Sequence, residues 1–256
     1  MTQRMVDGLA TGYTIVGEGL PVLLLHGWGV DSETMLPVAN ALAKAGYSAH
    51  VIDFPGFGQS ALPPEPWRVE DYAHWVIAYL DVAGLERVHL IGHSFGGRVS
   101  LVLGGTYPER IGKIALSNSA GVKLPLPLKI QVYYVWRRVL MALLSLPGLG
   151  KVKTQVRERL RRRYGSADYL KAGPLQETFK LVVNEDLLPY ARRIQAPTLL
   201  FWGDRDLDTP LQIGQILERE IPDAGLVVFK GAGHYAYLDQ FEQFMRVVVH
   251  FFGDKT

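Results

Sequence analysis

At 256 residues, with 48% apolar and 11% aromatic content, the chain can bury one large core or two small ones, which excludes a disordered or fibrous protein. A net charge of +2 with 20% charged residues demands no polyanionic partner, so no nucleic-acid role is expected. The absence of cysteine removes disulfides, thiolate metal sites and a cysteine nucleophile, the first eight residues hold no apolar signal-peptide core, and no run of eighteen apolar residues offers a transmembrane segment, so a soluble cytoplasmic monomer or homodimer is expected.

Residues 13–16 and 21–26 read as the first strands, joined by Gly17-Glu18-Gly19, a turn of hairpin type. The second strand delivers His26-Gly27-Trp28-Gly29. Apolar residues at helical spacing over 33–45 stop at Gly46, and a strand follows over 49–53. In the turn Asp53-Phe54-Pro55-Gly56-Phe57-Gly58-Gln59-Ser60, Asp53 is placed to cap backbone N–H groups rather than to do chemistry. A helix over 69–83 ends at Gly84 and leads into an apolar strand from Val88. That strand runs into Gly92-His93-Ser94-Phe95-Gly96, where glycines on both sides of a serine let the chain reverse tightly into a helix over 95–106. Ser94 is left at the apex with its Oγ exposed. A strand over 111–118 completes the first half, and the alternation of strands with helices implies a mostly parallel sheet covered on both faces, with ligands at the strands' carboxyl ends.

From Gly121 to Asp186 the rhythm breaks into two to four helices without strands, as an inserted cap would. This segment holds 13 Lys plus Arg against 5 Asp plus Glu, a net of +8, concentrated where Arg157, Arg159, Arg161, Arg162 and Arg163 cluster. A solvated helical face and a docking place for an anionic or carrier-bound substrate are the two readings of that cluster. The sheet resumes over 196–202 and ends in Gly203-Asp204-Arg205-Asp206-Leu207-Asp208-Thr209-Pro210. A helix over 210–221, a strand over 226–230, the loop Gly231-Ala232-Gly233-His234 and an amphipathic helix over 238–252 close the chain.

A serine between two glycines arises by chance too often to carry a function alone. Here a serine, an acid and a histidine stand in that chain order, each just after an expected strand. His234 is the one histidine of seven that lies between a strand end and a helix behind Gly-x-Gly; His93 packs at the turn, His26 reads as a hydrogen-bonded structural residue, and His50, His74, His89 and His250 read as ordinary residues.

Through His26-Gly27-Trp28-Gly29, the Asp53–Ser60 turn, the serine turn and the Asp206 and His234 loops, the chain from about Gly12 to Phe252 resembles the α/β-hydrolase family. The resemblance implies an α/β-hydrolase fold: a mostly parallel sheet of the eight-stranded type with helices on both faces, a core over 1–120 and 187–256, and a helical cap over 121–186. It implies Ser94 as nucleophile, His234 as general base then acid, Asp206 as orienting carboxylate, and the backbone N–H groups of Trp28 and Phe95 as oxyanion hole. Asp206, rather than Asp204 or Asp208, matches the family spacing Gly-x-x-Asp-x-x-x-Pro, and the family's alternative acid position holds Asn118. No cofactor and no metal site is expected. The leading expectation is a carboxylesterase acting on a small to medium acyl ester. The same triad also serves C–C bond hydrolases, lactonases and perhydrolases in the family, some members of which are non-catalytic ligand receptors, and the residues alone leave these open.

Overall fold

The computed structural model describes residues 2–125, 136, 138, 140–145, 156 and 172–253. Most of the expected cap, including the arginine cluster, lies outside the described residues.

Eight strands form one sheet: β1 (Thr2–Val6), β2 (Leu9–Val16), β3 (Leu20–Leu25), β4 (Tyr47–Ile52), β5 (Val88–His93), β6 (Ile111–Ser117), β7 (Thr198–Gly203) and β8 (Ala224–Phe229). Their order is β1-β2-β4-β3-β5-β6-β7-β8, with β2 antiparallel to both neighbours and the pairs from β4 to β8 parallel. The mostly parallel α/β sheet read from the sequence is therefore present.

The central strands are apolar on both faces because both faces are covered. Along β3, Val22 and Leu24 join one core cluster while Leu23 and Leu25 join the other, the period of two that a strand imposes. One face is packed by α1 (Leu36–Lys44) and α8 (Phe241–Gly253), the other by α2 (Val69–Val82), α3 (Phe95–Thr106) and α6 (Leu211–Glu220). Each fully buried Leu, Val or Phe contributes roughly 1.5–3 kcal/mol. The helices also carry local stop and start signals. The Asp71 carboxylate accepts the Arg68 N–H at 2.7 Å to cap α2. At its other end Gly84 adopts φ +69°, so that the Leu85 N–H reaches back to the Leu80 carbonyl at 2.9 Å.

The structure corrects three expectations. The first residues form β1, an edge strand whose side chains are mostly exposed and so lack the apolar alternation that marks a strand. The turn Gly17-Glu18-Gly19 does not close a hairpin: β4 lies between β2 and β3 and pairs with both. The closing helix is two, α7 (Ala236–Asp239) and α8, with Gln240 out of helical geometry between them (φ −123°, ψ 45°). In the described part of the expected cap, a short 3-10 turn at Gly173–Leu175 leads into α4 (Gln176–Val183), and α5 (Leu188–Ala191) follows. Among the described residues no helix is long and apolar enough to cross a membrane.

Candidate active site

Ser94 joins β5 to α3 with φ +51° and ψ −104°, a backbone conformation that costs a non-glycine residue about 1–3 kcal/mol. Steric exclusion explains the flanking glycines. A Cβ on Gly96 would lie 2.1 Å from the Leu25 carbonyl oxygen, and one on Gly92 would lie 2.6 Å from Ser100 Oγ and 2.7 Å from the Gly96 carbonyl. The turn is tied to both neighbouring strand ends. The Gly96 N–H donates to the His26 carbonyl at 3.0 Å, the Ser94 N–H to the Ser117 carbonyl at 3.2 Å, and the Ala120 N–H to the Ser94 carbonyl at 3.2 Å.

Behind the turn, the loop after β3 is fixed by His26 and Asp53. His26 Nδ1 donates to the Gly27 carbonyl at 2.7 Å and Nε2 accepts the Phe54 N–H at 3.1 Å, so both ring nitrogens are committed. Burial lowers its pKa and keeps the ring neutral. Asp53 caps the N–H groups of Ser32 at 2.8 Å and Gln59 at 2.9 Å. This loop carries Trp28, whose ring packs edge-on against Phe57 at 4.9 Å and Phe95 at 5.3 Å and also touches Phe179 at 5.2 Å. Among the described residues no protein acceptor takes the backbone N–H of Trp28 or of Phe95.

Asp206 and His234 come from the loops after β7 and β8, and the structure brings them together. His234 Nδ1 donates to Asp206 Oδ2 at 2.9 Å, and the Asp206 carboxylate is fully buried. Oδ2 also accepts Asn118 Nδ2 at 2.6 Å and Thr209 Oγ1 at 2.6 Å, while Oδ1 accepts the N–H groups of Asp208 at 2.8 Å and Thr209 at 3.0 Å. Burial alone would raise the pKa of Asp206, but the hydrogen bonds from His234 and Thr209 outweigh it and hold the carboxyl well below the usual range. An ionised carboxylate on Nδ1 fixes the tautomer of His234 and leaves Nε2 as the acceptor. Asp204 instead accepts the Gly231 N–H at 2.7 Å, and Asp208 is exposed.

Ser94 and His234 line one cavity of about 270 Å³ with Trp28, Phe95, Arg98 and Phe179 among its other walls. They share it without a direct hydrogen bond, a contact that in ligand-free sites commonly tightens when substrate arrives. A larger cavity of about 600 Å³, lined by Leu20, Pro21, Arg87 and Phe252, lies at the amino ends of the strands, away from Ser94. In a parallel sheet the carboxyl end is where ligands bind, which favours the smaller cavity.

His93 packs at the turn as expected. Its Nε2 donates to the His234 carbonyl at 3.0 Å, and its ring lies against His234, Tyr235 and Tyr237. Burial, and then the neighbouring His234, push its pKa down to about 3. The roles of three residues around the site were missed by sequence reading. Asn118, buried at φ +48°, clamps Asp206, and its carbonyl accepts Thr209 Oγ1 at 3.0 Å. Thr209 also stands 3.3 Å from His234 Nδ1. An Asn closing a strand and a Thr three residues after an Asp are signals for a left-handed residue and a side-chain-capped turn. Arg98 lines the cavity one helical turn beyond Ser94, and only its i, i+4 spacing hinted at it.

Comparison with known proteins places the fold. The family model described as alpha/beta hydrolase fold matches residues 21–241. The 2-hydroxymuconate semialdehyde hydrolase of Pseudomonas putida is 31% identical, over 96% of this chain and 93% of its own length. The 2-hydroxy-6-oxononadienedioate/2-hydroxy-6-oxononatrienedioate hydrolase of Burkholderia vietnamiensis is 30% identical, over 95% and 91%. Among solved structures, the enol-lactonase of Burkholderia xenovorans LB400 superposes with a TM-score of 0.76 at 24% identity, covering 99% of this chain and all of that one, a likeness of fold.

Proposed function

The chain belongs to the α/β-hydrolase fold family, and on that premise we propose that it is a serine hydrolase that cleaves the C–C bond of a ring-cleavage product. The observation that carries the choice of substrate is the set of relatives near 30% identity over nearly the full length of both chains, which are named as hydrolases of 2-hydroxy-6-oxononadienedioate/2-hydroxy-6-oxononatrienedioate and of 2-hydroxymuconate semialdehyde. A hydrolase is the coarser statement that these relatives support.

In this reading Ser94 Oγ attacks the carbonyl carbon next to the scissile bond while His234 Nε2 takes the hydroxyl proton. The N–H groups of Trp28 and Phe95, which have no protein acceptor among the described residues, hold the resulting oxyanion. As the C–C bond breaks, its electron pair goes to the leaving carbon, which is protonated from His234, and the acyl group stays on Ser94. Water, deprotonated by His234, then releases the carboxylic acid and restores the serine. Asp206 orients the imidazole and stabilises its cation. The segment 121–186 acts as a cap, to which α4 contributes Phe179, Val182 and Val183 on the cavity wall.

A carboxylesterase is the second reading, favoured by the apolar walls of Trp28, Phe179, Val182 and Val183, which suit a plain acyl chain. The deciding experiment follows the loss of visible absorbance of 2-hydroxymuconate semialdehyde beside release of p-nitrophenol from acyl esters of two to eight carbons. A kcat/KM for the dienoate at least about 10-fold above the best ester supports the C–C hydrolase. The reverse ratio supports the esterase, and no turnover of either substrate contradicts both.

A further inference from the structure

Arg98 is a largely desolvated cation with no carboxylate at ion-pair distance among the described residues, although Glu185 and Asp186 favour its charge from further off. Its backbone N–H bonds the Ser94 carbonyl at 3.2 Å, and its side chain lines the same cavity as Ser94 and His234. Taking a guanidinium out of water costs several kcal/mol unless acceptors or an anion compensate. The protein supplies part of that compensation. Nη1 donates to the carbonyls of Val182 at 2.9 Å and Glu185 at 3.3 Å, where α4 ends. The carboxylate of Glu185 accepts the Val69 N–H at 3.4 Å and lies 3.7 Å from Arg68, and it favours the Arg98 charge at longer range without a hydrogen bond to it. Among the described residues no carboxylate forms an ion pair with Arg98, and Nε and Nη2 have no acceptor. Those two nitrogens form the edge whose parallel N–H groups match a carboxylate. Burial draws the guanidinium pKa down to about 10, which leaves it cationic at neutral pH. No other Arg or Lys lines the cavity among the described residues.

We propose that Arg98 is the anion anchor of this cavity, binding a carboxylate carried by the substrate within reach of the carbonyl that Ser94 attacks. The inference rests on the reading of Ser94 as nucleophile and narrows the substrate class to carboxylate-bearing acyl compounds. It also separates Arg98 from a plain tie between α3 and the end of α4, since a tie needs only Nη1.

The test uses three phenyl esters: p-nitrophenyl butyrate, the p-nitrophenyl monoester of glutaric acid, and the butyrate ester of 4-hydroxybenzoate, so that the carboxylate sits on the acyl part, on the phenol part or on neither. Wild type should favour one charged ester over the neutral one by kcat/KM, and Arg98→Gln should lower that ratio by about 10- to 100-fold, mostly through KM. A ratio unchanged within about 3-fold, with both rates falling together, would make Arg98 a structural tie and overturn the proposal. A calorimetric arm needs no turnover: Ser94→Ala should bind glutarate at least about 10-fold more tightly than glutaramide, and equal affinities overturn the proposal even should Arg98→Gln not fold. Ester hydrolysis surviving in Ser94→Ala would instead sink the nucleophile assignment, a separate outcome from either binding result.

Discussion

The Asp206 carboxylate accepts hydrogen bonds from His234, Asn118, Thr209 and two backbone N–H groups, so its orientation is set before any substrate binds. On the proposed mechanism, Asp206→Asn should lower kcat by about 10³- to 10⁴-fold, because it loses the charge and the tautomer control that His234 needs. Asp204→Asn, which touches only the Gly231 N–H, and the exposed Asp208→Asn should cost far less, and steady-state rates on one chromogenic substrate settle the order. Removing the clamp is a milder change: Asn118→Ala should cost about 10- to 100-fold in kcat, since Oδ2 keeps its bonds to His234 and Thr209. Ser94→Ala and His234→Ala should each cost about 10⁴-fold or more, with no further loss in the double variant. Ser94, Asp206 and His234 could be proposed from the sequence because each follows an apolar run that ends at glycine or just before one. The roles of Asn118 and Arg98 could not, because their partners lie far away in the chain: Asn118 and Asp206 are 88 residues apart, and Arg98 and Val182 are 84 apart. No local pattern reports such contacts.

The turn from β5 to α3 owes its glycines to crowding, and this can be separated from conformational cost. Gly96→Ala drives a methyl against the Leu25 carbonyl, a backbone atom that cannot step aside, so a destabilisation of about 3 kcal/mol or a failure to fold is expected. At Gly46, where φ is +86° and nothing lies within 4 Å, alanine meets only backbone strain and should cost about 1 kcal/mol. Urea denaturation of the two variants measures the difference, and equal values would contradict the steric account. The central strands were readable because burial on both faces makes them continuous apolar runs. Strand β1 and the separation of β2 from β3 by β4 were not, since an edge strand shows little apolar signal and pairing order is a property of the whole sheet. The segment 121–186, proposed as a cap, stands out in the sequence by a break in rhythm and a charge of +8 in a chain of +2. If that charge draws an anionic substrate, Arg157→Gln with Arg161→Gln and Arg162→Gln should raise KM for a charged ester at low salt and leave little difference near 0.15 M, where screening acts within about 8 Å. Equal KM values at low salt would return these arginines to a solvated surface.

Across the whole molecule, several histidines are held neutral by burial: His93 is pushed down to about 3, and His50 and His89 to about 4. The unfolded chain protonates such groups near pH 6.5, so between that value and their folded pKa the unfolded state binds more protons. Stability should therefore fall as pH drops from about 6.5 towards 4, by up to about 1.4 kcal/mol per pH unit for His93 alone. Asp206 acts in the same sense at lower pH, because its depressed pKa contributes stability above the ordinary carboxylate range and loses it on acidification. Thermal melts at pH 7, 6, 5 and 4 should show a falling Tm, and a flat profile would contradict the neutral burial of these rings. All of this serves one arrangement, a serine held at the apex of a strained turn with an imidazole and a buried carboxylate behind it. The most direct measurement is the intact mass of the protein after reaction with a fluorophosphonate, followed by peptide mapping. The account predicts a single adduct on Ser94, formed in wild type and absent or slowed by orders of magnitude in His234→Ala. No adduct on wild type, or an adduct on another residue, would contradict it.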